Sequence, residues 1–169
     1  MEKLDPRIKM AMLSIHATPG RRPWHGAPTV LSALHGVSPQ VAVWRPHPEM
    51  ISIRDIALHI TYFENLVANR LSGMDLPVAF ELRARGWPVV IETLDDEQWT
   101  SEKDIIREAH EHLVEAVRSF DPSNLDQPPP AKKTKRGAIE FIHGVAEHTL
   151  YHTAQITMLK ALAKQVLEK

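Results

Sequence analysis

The sequence predicts an all-α fold, a bundle of long helices in which one connection is a long crossover. Three long stretches carry apolar residues spaced by three and four positions, the period of a helix with one buried face. Two of them open on Ser-x-x-Asp, at Ser52 and Ser101, which resembles a capping box. Residues 73–100 between them are rich in glycine and proline and lack a clear period. We therefore expect no sheet of three or more strands in the core.

Composition restricts both the class of protein and its partners. The chain has 169 residues, 43% of them hydrophobic, which fits one domain spanning 1–169. A net charge of −1 gives no electrostatic footprint for nucleic acid or an anionic membrane. The absence of cysteine excludes disulfides, Cys-based zinc sites and a protein thiolate. Without a stretch of about 18 apolar residues or an apolar leader, we expect a cytoplasmic protein of bacterial type.

The first third of the chain contains short helical stretches separated by breakers. An Asp cap followed by Pro6 predicts a short helix over 5–16. Two prolines and two glycines within residues 19–26 end it. A second helix is expected over about 28–36, with Gly36 as its stop, and a turn or two over 40–44.

The long helices follow. The first is predicted over about 52–72, and the crossover after it is expected to hold a helical turn near 77–84 and a short extended piece at 88–92. The next helix is predicted over about 101–120, and the last over about 135–165 with Thr134 as its cap. The buried stripe of the 52–72 helix is Ile53, Ile56, Ile60, Phe63, Val67 and Leu71.

Histidines interrupt the apolar stripes of two of these helices. His148 and His152 are one turn apart on the same face of the last helix, which is a metal-clamp spacing. With ten histidines in the chain, random placement alone gives about 0.6 such pairs, so hydrogen-bonded or partly exposed helix histidines are the alternative. His59 lies on the buried face of the 52–72 helix, or at its edge, and is the candidate third ligand.

Several sequence features together resemble the DinB/YfiT-like superfamily over nearly the whole chain. They are Trp44-Arg-Pro46, the lone histidine in Ala57-Leu-His59-Ile-Thr-Tyr62, and Gly144-Val-Ala-Glu-His148-Thr-Leu-Tyr-His152-Thr-Ala-Gln155-Ile156. The resemblance implies a four-helix bundle with one long crossover, in which His59, His148 and His152 bind a divalent metal. The activities that it implies are those of thiol-dependent S-transferases or isomerases, which act with bacillithiol or mycothiol, or those of metal-dependent hydrolases.

The chemistry of such a site follows from its donors. Three neutral imidazoles without a carboxylate suit zinc or nickel, and also cobalt or ferrous iron, and they leave a coordination position open for water or substrate. If they share one ion, their ring nitrogens must approach to within about 4 Å. Glu64 and Glu147 should both point away from this face, so no carboxylate is placed to activate water. A metal-held thiol from a small-molecule substrate is therefore favoured over a protease-like hydrolysis. The alternative is a non-catalytic, stress-related bundle that binds metal or an apolar ligand.

Other residues are candidates to complete the pocket. Gln155 could bond to a ligand, a water or a substrate, or make a core hydrogen bond. Tyr62 and Tyr151 adjoin the histidines, and packing is their alternative role. His25 could be a fourth ligand or a proton shuttle. The alternative is that it lies in a surface turn. His110 could reach the core, but nothing pairs it with a donor at ligand spacing.

The long helices also raise the question of oligomeric state. We expect a homodimer, since bundles of this kind often bury the apolar remainder of a long helix against a second copy. The residues concerned, Leu58, Leu66 and Ile139, could equally pack against the crossover.

Overall fold

The computed structural model describes residues 4–16, 28–130 and 134–167, and it confirms the all-α class. The helices in these ranges are α1 (Pro6–Ser14), α2 (Val30–Ala33), α3 (Pro39–Val43), α4 (Ile53–Ser72), α5 (Asp96–Arg118) and α6 (Ala138–Leu167). Short 3₁₀ turns lie at Ala84–Gly86 and Pro122–Asn124. No helix within these ranges is both long enough and apolar enough to cross a membrane.

Helix α4 is the centre of the bundle and packs against both α5 and α6. The short helices α1 and α2 each contact α5 and α6, so together they take the place of a fourth long helix. α3 packs on α4 and α6. The apolar faces of these helices bury a core that includes Ile56, Leu58, Val117, Ile142 and Ile156, each at most 1% exposed.

The first turn of α4 is fixed by polar contacts. Ser52 and Asp55 form the predicted capping box, in which each side chain accepts a hydrogen bond from the backbone N–H of the other. The buried guanidinium of Arg45 donates to Asp55 at 3.0 Å and to the carbonyl of Ile91 at 3.2 Å. The Trp44-Arg-Pro46 segment thus ties the start of α4 to the end of the crossover.

Several predicted helix limits are wrong. α5 begins at Asp96, not at residue 101, because Asp95 and Gln98 form a capping box one turn earlier. Trp99 fixes that extra turn, since it is 1% exposed and its indole donates to the carbonyl of Val37. α2 extends only over Val30–Ala33, and Thr29 is its cap.

The start of the last helix is also later than predicted. α6 begins at Ala138, and Thr134 does not cap it, because its hydroxyl accepts from the backbone of Arg136 before the helix starts. The backbone N–H of Ala138 instead bonds to the carbonyl of Gln127, which orders the entry to α6 through the preceding loop.

The crossover forms a small hairpin where we predicted a helical turn over 77–84. Strands β1 (Leu82–Arg83) and β2 (Trp87–Pro88) pair antiparallel around the 3₁₀ turn. Arg85 and Gly86 both have positive φ there, at 62° and 74°, and these values make the tight reversal that a helical turn would not. β2 rests on α4, beside the stripe that carries His59. The crossover is thus a structured element of the histidine region.

Candidate metal centre

Three histidines from two helices converge between α4 and α6. One ring nitrogen from each of His59, His148 and His152 lies within 4.8 Å of the others, and among the described residues no other His, Asp or Glu joins this group. The ring centroids are 5.1 Å apart for His59 and His148, 5.0 Å for His59 and His152, and 4.5 Å for His148 and His152. The stripes read from the sequence therefore do bring the three imidazoles together.

Two of the rings are held by hydrogen bonds through Nδ1. His59 Nδ1 lies 3.0 Å from the carbonyl oxygen of Gly86, and His152 Nδ1 lies 2.6 Å from Oε1 of Gln155. Since these oxygens accept, each Nδ1 carries the proton and each Nε2 has a free lone pair. A carbonyl or amide oxygen behind the imidazole is the usual support of a metal-binding histidine. The contact with Gln155 therefore fixes the orientation of the His152 ring.

The widest separation of the nitrogens tests whether one ion fits. Two atoms about 2.1 Å from the same tetrahedral ion are about 3.4 Å apart, so nitrogens separated by up to 4.8 Å must move closer by more than about 1 Å. His148 is the ring that no hydrogen bond at Nδ1 holds in place, because this nitrogen is buried without a partner. An orphaned buried nitrogen costs about 1–3 kcal/mol, which coordination to an ion would recover. The donor set suits a divalent ion once the rings reorient to close this separation.

Burial keeps all three imidazoles neutral. It is the main cause that lowers the pKa of His148 to about 4, and the neighbouring His152 and His59 lower it further. Burial also lowers the pKa of His59 against the opposing hydrogen bond to Gly86, and that of His152 against the opposing bond to Gln155. Neutral imidazole is the form that binds metal, so the lone pairs are available near neutral pH.

Aromatic rings enclose the cluster, and the nearest belongs to the crossover. Trp87 stacks on His59 with 3.8 Å between centroids and 2° between planes. Phe63 contacts both His59 and His148. The sequence pointed to the histidines but missed Trp87 and Gly86, because residues 73–100 lack a clear period that would place them beside α4. A glycine followed by Trp-Pro within a long crossover is the signal that could have marked this hairpin.

The remaining candidates of the sequence lie around the trio. Tyr151 makes an edge contact with His152 but is 62% exposed, so it sits at the rim. Tyr62 packs over Gly86, where a Cβ would overlap its ring. Both tyrosines are in packing positions. His25 lies outside the described residues.

The buried carboxylate on the same helix as His59 is engaged elsewhere. Glu64 is buried at 3% exposure, and His110 Nδ1 lies 3.3 Å from its Oε2. The hydroxyl of Thr149 donates to its Oε1 at 3.4 Å. His110, for which the sequence offers no donor at ligand spacing, lies outside the group of three histidines among the described residues. Its partner is a carboxylate on α4, five residues from His59 and pointing into another part of the bundle.

Comparison with known protein families gave one match. The family model described as the DinB superfamily matches residues 26–156, which include the hairpin and all three histidines. Comparisons with curated proteins and with solved structures gave no match.

Proposed function

The chain belongs to the DinB superfamily, and from this membership and the three-histidine cluster we propose a divalent-metal-dependent enzyme that transfers a low-molecular-weight thiol to an electrophilic small molecule. The observation that carries the proposal is the convergence of three neutral imidazoles, with Nδ1 of His59 and His152 already bonded behind the ring. His59, His148 and His152 are the proposed ligands. We expect zinc or nickel, with iron or cobalt as substitutes.

The chain's own residues set the geometry of the site. Gly86 and Gln155 fix the rings of His59 and His152, and Trp87 and Phe63 cover the imidazoles on their apolar side. Three protein donors leave room for an exogenous ligand. A bound divalent ion supplies Lewis acidity, which lowers the pKa of a thiol at that position. The aromatic cover restricts water, which favours a thiol over hydroxide.

The donor set supports thiol transfer over hydrolysis. Hydrolytic zinc sites commonly use a carboxylate as general base, and the described residues place none in the cluster. Glu64 is held by His110 and Thr149. A thiol is deprotonated without such a general base more easily than water is, because its pKa is far below that of water and metal binding lowers it further.

A matched activity panel tests this proposal. Purified protein is stripped with a chelator, reloaded with zinc or nickel, and assayed with several low-molecular-weight thiols and with ester substrates. We expect thiol transfer that disappears with chelation and returns with metal, in the wild type and in His143→Ala. His143 is exposed on the same helix, so this variant controls for the loss of a histidine. Bound metal with a blank panel would instead support a non-catalytic metal-binding protein, and ester hydrolysis alone would support a hydrolase.

We also propose that the protein is a homodimer, although not through the residues first considered. Leu58 is fully buried within one chain, and Ile139 packs against the core. A row of exposed apolar side chains instead lies on one face of α6: Tyr151, Met158, Leu162 and Val166, between 43% and 67% exposed. Their spacing of seven, four and four residues forms a continuous stripe. A second copy is the partner we propose, and a monomer mass by light scattering at micromolar concentration would contradict it.

A further inference from the structure

A cavity of about 240 Å³ lies apart from the three histidines, none of which lines it. It is bounded by the end of α1, by α2 and by the facing sides of α4, α5 and α6. Leu31 and Leu150, at 38% and 40% exposure, belong to its lining and place its mouth at the surface. Most of the wall is aliphatic, including Ile15, Val30 and Ile106. A cavity with such walls favours an apolar ligand body.

Polar side chains also line this cavity, and one of them is a buried carboxylate. Glu64 lines the cavity and is 3% exposed, beside His110 and Thr149, which also line it. The contacts to its carboxylate are long, 3.3 and 3.4 Å from His110 Nδ1 and 3.4 Å from the Thr149 hydroxyl. Good hydrogen bonds of these types are about 2.5–3.2 Å long, and a carboxylate can accept about four. The carboxylate can therefore accept a shorter bond from a ligand.

The charge that the cavity accepts depends on its two histidines, His110 beside Glu64 and His16 just after α1. Burial is the largest single influence on His110 and opposes its protonation. The hydrogen bond and charge of Glu64, with a smaller effect of Glu111, outweigh it and raise the pKa of His110. When His110 is protonated, it and the carboxylate of Glu64 together carry no net charge. An ion entering from water would lose its hydration without gaining an unpaired counter-charge. A neutral ligand avoids this cost.

We propose that this cavity is a second binding site, which takes a small neutral alcohol or phenol with an aromatic or aliphatic body. The hydroxyl donates to Glu64 and the body fills the aliphatic wall. The site is separate from the proposed metal centre and does not depend on it.

The volume sets the size of the probe. An apolar cavity of about 150 Å³ holds benzene, so about 240 Å³ suits about nine or ten non-hydrogen atoms. 2-Phenylethanol has this size. 2-Phenylethylamine and phenylacetate have nearly the same shape with a positive or a negative charge, and they serve as matched ligands.

The experiment is a methyl-labelled NMR titration of the wild-type chain with the three probes. We expect saturable shifts with 2-phenylethanol, and affinities at least about tenfold weaker for the ammonium and the carboxylate. The shifts should be confined to the lining methyl groups and absent from Ile139, which does not line the cavity and whose backbone N–H bonds to the carbonyl of Leu125. Equal or tighter binding of either ion, shifts centred elsewhere, or no saturable shift with the alcohol would overturn the proposal. The lining methyl groups belong to Ile15, Val30, Leu31, Ile106 and Leu150.

A pair of variants tests the role of the carboxylate. Glu64→Gln keeps the shape but removes the charge, and we expect 2-phenylethanol to bind about tenfold more weakly, since hydrogen bonds to charged groups are the stronger ones. Glu140→Gln makes the same change at an exposed position of α6 and should bind like the wild type. Unchanged binding by a folded Glu64→Gln protein would overturn the assignment. If that variant does not fold, the titration of the wild type still decides.

Discussion

Replacing Gly86 by alanine should damage both the fold and the histidine cluster. Gly86 has a φ of 74°, which costs a residue with a side chain about 1–2 kcal/mol. Its new Cβ would also overlap the ring of Tyr62, and such overpacking costs about 1–3 kcal/mol. The free energy of unfolding should therefore fall by about 2–5 kcal/mol. The displaced carbonyl no longer orients His59, and loss of such a support weakens metal binding about 10–100-fold.

Gly73 provides a matched control for this substitution. It has the same φ of 74°, but a Cβ on it meets nothing within 4 Å. Gly73→Ala should therefore lose only the backbone contribution of about 1–2 kcal/mol and bind metal like the wild type. Urea unfolding and competitive zinc titration measure both quantities. If the two variants lose equal stability and neither loses metal affinity, the hairpin does not position His59 and this reasoning is refuted.

Three further predictions concern pH, the Arg45–Asp55 ion pair at the start of α4, and the dimer. The pKa of His148 is about 4 in the folded chain, below the ordinary 6.5, so the folded metal-free chain binds fewer protons than the unfolded chain in this range. Its free energy of unfolding should therefore fall by up to about 3 kcal/mol as pH falls from 6.5 to 4. Urea unfolding of metal-free protein at several pH values measures this. If the stability of the wild type depends on pH no more than that of His148→Gln, the prediction is contradicted. Arg45→Ala leaves Asp55 buried without its 3.0 Å partner, and it should lower the free energy of unfolding by about 3–5 kcal/mol. Thermal or urea unfolding measures this, and a decrease below about 1 kcal/mol would show that the pair does not hold the start of α4. Met158→Glu puts a charge on the exposed stripe of α6 and should yield monomers in light scattering, whereas an unchanged dimer would place the interface elsewhere.

The helices that carry the histidines could be predicted because their signals are local. Ser52 and Asp55 are three residues apart and cap each other within one turn, and the stripe of α4 repeats over its length. The i and i+4 spacing fixes His148 and His152 on one face without knowledge of the rest of the fold. The buried stripe of the 52–72 helix already made His59 the candidate third ligand, and the family resemblance, confirmed by the match over residues 26–156, implied that the three bind one metal. That the three bind metal stays a prediction.

The parts that sequence patterns missed depend on contacts between distant residues. The early start of α5 relies on Trp99 reaching the carbonyl of Val37, 62 positions away. The stacking of Trp87 on His59 requires the hairpin to fold back onto α4, and no local period encodes this. The pairing of Glu64 with His110 joins two helices across 46 positions. In each case tertiary packing decides what local propensity leaves open.

Uptake of cobalt by purified, metal-free protein tests the metal centre most directly. Cobalt suits an imidazole site, and its visible absorption reports the coordination geometry. We predict tight binding of one ion per chain, with a spectrum of four- or five-coordinate cobalt, for the wild type and for His143→Ala. Each of His59→Ala, His148→Ala and His152→Ala should lose this tight binding while remaining folded. Retention of tight, equimolar cobalt binding by any of these three variants, or its absence from the wild type, would contradict the three-histidine centre.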